Sequence, residues 1–108
     1  MMKKPRAIAD VCNTIVSADK TQRVVLLHFI DLKKYRVIKE VAVNILLNKH
    51  IALSESEKRY LRRKTPILKN LALKQQNLTD IRAFLVKHQM LIKRICRIVL
   101  KHLAIKTL

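Results

Sequence analysis

Asp80-Ile81-Arg82-Ala83-Phe84-Leu85-Val86-Lys87-His88-Gln89-Met90-Leu91-Ile92-Lys93-Arg94-Ile95-Cys96-Arg97-Ile98-Val99-Leu100-Lys101 is the stretch that decides the fold. Its apolar residues, Ile81, Phe84, Leu85, Leu91, Ile92, Ile95, Ile98, Val99 and then Leu103, recur at helical spacing. Its cations fall on the other side. Lys93, Arg97 and Lys101 are four apart, and Lys87, Arg94 and Lys101 are seven apart. The segment reads as one long amphipathic helix that begins at Thr79 or Asp80 and runs to about His102 or beyond.

The rest of the chain agrees with a helical reading. All 108 residues include no glycine and only two prolines, so the residues that make hairpins and tight turns are missing. Half the residues are hydrophobic, which excludes a disordered basic tail. The length suits a single domain, 1–108, with one core. The expectation is an all-α fold, a compact bundle of about five helices with the last one long and amphipathic.

Caps and periodicity place the other four. Pro5 suits a first helical turn, followed by Ala7, Ile8, Val11, Cys12 and Ile15 at helical spacing. Ser17 and Asp19 interrupt that pattern and can cap a short second helix through Val24 to Ile30. Asp31 is the expected N-cap of a third helix to about Leu47, which Asn48-Lys49-His50 ends. After Glu40 this helix is apolar nearly all round, the mark of a central, buried element. Ser54 to Glu57 has the S-x-x-E form of a capping box, with Leu53 placed as a hydrophobic staple. A fourth helix starts there and turns Leu61, Ile67, Leu68, Leu71 and Ala72 inward. Pro66 inside it removes a hydrogen bond, so a kink near Arg62 or a break at Lys64 is expected, with Thr65 as the new cap. Gln75-Gln76-Asn77 reads as a loop.

Charge is the feature that points to a partner. From Lys58 to Leu108 fourteen Lys and Arg residues face one acid, Asp80, a balance of +13, while residues 1–57 carry only +4. Five of the seven acids (Asp19, Asp31, Glu55, Glu57 and Asp80) sit at expected helix starts, where the macrodipole favours them. They leave the basic faces without counter-charge. Lys and Arg are ordinary on solvated helix faces, but such faces interleave both signs. A one-sided excess repels itself until a polyanion meets it.

The cations expected to meet phosphates are Lys58, Arg59, Arg62, Arg63, Lys64 and Lys69 on the fourth helix, with Lys74 beyond them, and Lys87, Lys93, Arg94, Arg97 and Lys101 on the last. The partner they imply is duplex DNA, bound without sequence preference. Phe29, Phe84, Tyr35 and Tyr60 are too few for a single-strand stacking platform. No helix pairs Arg with Asn or Gln in the manner of a base reader. Two other partners fit the same charge. An anionic membrane would take the apolar side of the last helix, although a small domain needs that area for its own core. An acidic protein would dock on the basic face. The apolar excess of the third and last helices also suggests a homodimer.

Enzymatic chemistry finds no set of residues. His28, His50, His88 and His102 lie in no metal-ligand spacing, and His88 falls on the apolar stripe as a packing residue. The acids are engaged in caps, and Ser17, Ser54 and Ser56 lack nucleophile-elbow glycines. No cofactor or metal is expected. Cys12 and Cys96, in apolar surroundings and outside any CxxC spacing, read as buried free thiols. Met1-Met2-Lys3-Lys4-Pro5-Arg6 lacks the apolar stretch of a signal peptide, and no run reaches spanning length.

Lys20-Thr21-Gln22-Arg23 with Val24 to Ile30 and Asp31, then Ile38-Lys39-Glu40-Val41-Ala42-Val43-Asn44-Ile45-Leu46, resembles a family of small basic helical proteins. Ile51-Ala52-Leu53-Ser54-Glu55-Ser56-Glu57-Lys58-Arg59-Tyr60-Leu61 and Leu68 to Lys74 extend the resemblance, which covers roughly residues 20–87. The family is encoded by Polinton (Maverick) elements and adintoviruses. The resemblance implies a virus-like mobile element that also encodes capsid and replication proteins. It implies a DNA-neutralising role in the virion interior or host nucleus. The chain departs from the family after the fourth helix. A Lys-rich run, Gly-Gly and an apolar tail are often found there, whereas Asp80 to Leu108 reads as an ordered helix. A processing role tied to that tail does not carry over.

Overall fold

The acids placed at helix starts determine where the chain turns. Asp19 accepts a hydrogen bond from the Gln22 backbone at 2.8 Å, and the Gln22 side chain accepts one from the Asp19 backbone at 3.0 Å, a reciprocal capping box. Asp31 accepts from the Lys34 backbone at 2.8 Å. Ser54 and Glu57 form the expected box, the Ser54 backbone N–H donating to Glu57 Oε1 at 2.8 Å and the Glu57 backbone to Ser54 Oγ at 3.2 Å. Asn77 caps the next helix by accepting from the Asp80 backbone at 2.9 Å. These bonds satisfy N–H groups that would otherwise lack intrahelical partners.

The computed structural model describes residues 5–47, 51–73 and 77–107. Asn48-Lys49-His50, Lys74 and Gln75-Gln76 lie outside them. Among the described residues there are six helices and no strand: α1 (Pro5–Ser17), α2 (Lys20–His28), α3 (Leu32–Leu47), α4 (Glu55–Leu73), α5 (Leu78–Lys87) and α6 (Gln89–Thr107). The radius of gyration, 12.9 Å, matches the roughly 13 Å of a compact domain this long.

Two boundaries differ from expectation. The long last helix is two helices, because His88 leaves helical geometry at φ −110°, ψ 31°. Neither Gly nor Pro forces the break. α5 packs on α2, whereas α6 packs on α1 and α3, and the turn lets one amphipathic sequence reach both surfaces. Gln89, the next residue, is buried and accepts a hydrogen bond from Arg23 Nε of α2. α4, in contrast, is not broken at Pro66. Proline removes the partner of the Arg62 carbonyl, four residues earlier, but Arg62 and Pro66 are exposed, where solvent can take the place of that bond. Thr65 is no cap; its hydroxyl donates to the Leu61 carbonyl at 3.0 Å.

One core joins the helices. Ile8, Cys12 and Ile15 of α1 meet Ile92, Ile95, Cys96 and Val99 of α6, with Ile38 and Val41 of α3 and Leu61, Leu68 and Leu71 of α4 completing it. α6 is the most deeply buried helix. α3 is central as expected, packing on α1, α4 and α6; after Glu40, Val41 and Ala42 are buried, Val43 to Leu46 half-buried and only the last residue, Leu47, is exposed. Burying one large aliphatic side chain contributes about 1.5–3 kcal/mol. Cys12 and Cys96 are free thiols, and helix packing brings them together across the α1–α6 interface. A hydrogen bond with Cys12, together with burial, holds the Cys96 thiol well above its ordinary pKa.

Since proline removes a backbone bond from an unbroken α4, Pro66→Ala should stabilise the domain by about 1–3 kcal/mol in urea unfolding. A destabilised variant would contradict this account.

Candidate nucleic-acid interface

α3 packs on both α4 and α6, and the outer sides of these two helices meet through long side chains. Glu57 of α4 pairs with Lys101 of α6 at 3.0 Å. About a turn further along α4, the Arg94 guanidinium lies 4.5 Å from the centre of the Tyr60 ring. The Lys64 ammonium approaches the same ring at 5.8 Å. The residue numbers rise along α4 as they fall along α6, so the two helices run antiparallel here. Tyr60 lies at the centre of the seam, with cations from both helices on it. Each cation–π contact contributes about 0.5–1 kcal/mol at an exposed site. Their larger effect is to hold two flexible side chains in fixed positions.

Of the cations singled out by charge, Lys58, Arg59, Arg62, Arg63, Lys69, Lys87, Arg94, Arg97 and Lys101 are exposed, and Lys64 and Lys93 are half-buried. They do not form a single strip. A helix turns about 100° per residue, so Lys58, Arg62 and Lys69 lie on the flank of α4 opposite Tyr60 and Lys64. Arg59 and Arg63 point outward between the two flanks. On α6, Arg94, Arg97 and Lys101 share the side toward α4, whereas Lys93 is turned away from it. The contacts therefore place Lys64, Arg94 and Lys101 at the α4–α6 seam, with Arg63 and Arg97 exposed beside it and Arg59 between the two flanks of α4. Lys58, Arg62 and Lys69 form a second flank.

Not every cation is without a partner. Glu57 had been assigned to capping alone, but it also holds Lys101. Burial opposes its charged form, but the Ser54 backbone bond and Lys101 outweigh this and hold the carboxyl below its ordinary range. Lys58 lies 3.5 Å from Glu55, but both side chains are largely exposed and such a pair contributes about 0–1 kcal/mol. Arg23 and Arg82 are structural. Arg23, 2% exposed, donates to Gln89, to the Ala18 carbonyl at 2.9 Å and toward the Met90 sulfur at 3.7 Å. Arg82 Nε donates to the Ile30 carbonyl at 2.9 Å.

Tyr60 is the residue that the sequence did not reveal. Its position four before Lys64 was a local signal, but its contact with Arg94 depends on how α4 and α6 dock. The apolar side of α6, considered above for a membrane, is in the core: Ile95 is 0% and Ile98 4% exposed. No helix among the described residues is long and apolar enough to cross a membrane.

His88 lies where α5, α6 and α4 approach one another, its ring 4.7 Å from that of Phe84. Burial, then the nearby Lys87 and Lys64 charges, hold its pKa below the ordinary 6.5. No protein-family model matches the chain, and neither a curated protein nor a solved structure is detectably similar to it.

A histidine with a depressed folded pKa contributes stability that is present above pH 6.5 and is lost as pH falls through the folded value. Urea unfolding between pH 7.5 and 5 should show this decline, and His88→Gln should flatten it. An unchanged slope in the variant would exclude His88 as the source.

Proposed function

We propose that the chain is a non-enzymatic DNA-binding protein that neutralises and condenses duplex DNA by contacting phosphates, with little sequence preference. The observation that carries this reading is the antiparallel seam where Lys64 and Arg94 share Tyr60 and Lys101 pairs with Glu57, with Arg63 and Arg97 exposed beside it and Arg59 on the outer side of α4. Long cations fixed on two rigid helices can meet successive phosphates and displace condensed counterions. Tyr60 already has Arg94 and Lys64 beside its ring, which favours backbone contact over stacking of a base. Lys58, Arg62 and Lys69 form a second row for a neighbouring duplex segment. Lys87 and Lys93 add long-range charge.

The resemblance to the Polinton and adintovirus family gives this activity a setting, that of a core or packaging protein acting on the element's own DNA. The role does not depend on that kinship. The alternatives, an acidic protein partner and an anionic membrane, draw on the same charge. The membrane reading additionally needs apolar surface that α6 has turned into the core.

Affinity for random duplex DNA should fall linearly with salt on a log–log plot, with a slope of about −5 for six phosphate contacts, or about a thousandfold between 50 and 200 mM. Arg63→Glu with Arg94→Glu should weaken binding to all sequences alike and flatten the slope by about two. Glu57→Gln keeps the cap, releases Lys101 and should steepen the slope by about one. A flat salt response in the parent chain would overturn the proposal.

A further inference from the structure

α1 packs on α6 and α3, while α2 packs on α5 and α6. Neighbouring in sequence, these two helices therefore diverge in space, and a cleft of about 280 Å³ opens between them. Its walls are apolar, with Val11 and Ile15 on one side and Leu26, Leu27 and Ile30 on the other. Beside it stands a surface of exposed apolar side chains concentrated in eight residues: Val25 (51%), Leu26 (38%), Phe29 (69%) and Leu32 (44%). Helical spacing puts Val25 and Phe29 on one side of α2, and Leu32 follows just past its end. Among the described residues they stay largely exposed, with only the His28 ring edge-on to Phe29 at 4.7 Å, because Arg23 and Leu27 hold α2 to the bundle from its other side.

We propose that two copies of the chain pair through this α1–α2 face about a two-fold axis. The face carries a protruding ring, Phe29, one helical turn from the cleft that Leu26 lines. A projection and a cavity on one surface are what a two-fold contact requires, since each copy offers the other what it lacks. Charge also favours a second copy. Asp10 and Lys34 both line the cleft, and neither is in an ion pair within the chain among the described residues. A two-fold copy can set Asp10 of each against Lys34 of the other. Residues 1–57 carry only +4, so two copies meet here with far less repulsion than at α4 and α6. An anionic lipid surface or acidic helix would meet Asp10 and the exposed Asp19 and Asp31 as like charges.

α3 and α6 stand between this cleft and α4. The pair therefore presents two α4–α6 seams outward, pointing away from each other. If those seams bind DNA as proposed above, one dimer holds two duplex segments, the minimum for condensation rather than coating. This consequence rests on the DNA-binding proposal, whereas the pairing itself does not.

The test is sedimentation equilibrium of the full chain without DNA, at 0.05 and 0.5 M salt. A dimer is expected, tighter at the higher salt because screening weakens the repulsion of a +17 chain. Leu26→Glu with Phe29→Glu should give a monomer with unchanged helical circular dichroism, because Phe29 is exposed and Leu26 partly so. That variant should keep its affinity for a duplex short enough to occupy one seam, which separates loss of pairing from loss of DNA binding. A parent chain that stays monomeric to about 1 mM at 0.5 M salt would overturn the proposal. So would a double variant that still pairs, or growth into assemblies larger than two.

Discussion

Burial of one side of α6 fixes where the charges of this chain can go. Ile92, Ile95, Cys96 and Val99 are fully enclosed against α1 and α3. With a helix turning about 100° per residue, enclosing those four leaves Arg94, Arg97 and Lys101 on the outer surface. The same holds for α4, where covering Leu61, Leu68 and Leu71 exposes Arg59 and Arg63. The basic surface is therefore inseparable from the core. Loosening the core would scatter the cations, and turning α6 outward to meet a membrane would expose the side that holds the bundle together. The phosphate binding proposed for this surface would use the fold as it stands, while membrane insertion would have to open it.

The chain also uses some of its basic residues internally. Arg23 is nearly inaccessible, its guanidinium shared among Gln89, the Ala18 carbonyl and the Met90 sulfur. Burying a guanidinium costs several kcal/mol unless its donors are satisfied, and here neutral acceptors satisfy them. That network ties α2 to the start of α6 and coincides with the turn at His88. One polar contact thus relates three features: the break between α5 and α6, the attachment of α2, and the divergence of α2 from α1 that opens the cleft.

Local chemistry made much of this legible. Asp19, Asp31 and the Ser54–Glu57 box each act within three residues, so sequence spacing alone located the starts of α2, α3 and α4. The break expected at Lys64 does not occur in α4, because a proline's effect depends on whether the freed carbonyl can reach water, which burial decides. The break at His88 could not be seen, since no helix breaker marks it and the contact beside it, Arg23 to Gln89, spans 66 residues. The candidate site divides in the same way. Composition and spacing identified the cations. That Lys64 and Arg94 share Tyr60, that Glu57 holds Lys101, and that Lys58, Arg62 and Lys69 lie on another flank all depend on how α4 docks beside α6.

The central claim is that a folded surface around the α4–α6 seam meets duplex DNA. Amide chemical shifts of the labelled chain, recorded with and without a short random duplex, address it most directly. The account predicts changes concentrated at Arg59, Tyr60, Arg63, Lys64, Arg94, Arg97 and Lys101, with the core amides of Ile8, Cys12 and Ile38 unmoved. Changes centred on α1 and α2, or collapse of the core signals on adding DNA, would contradict it.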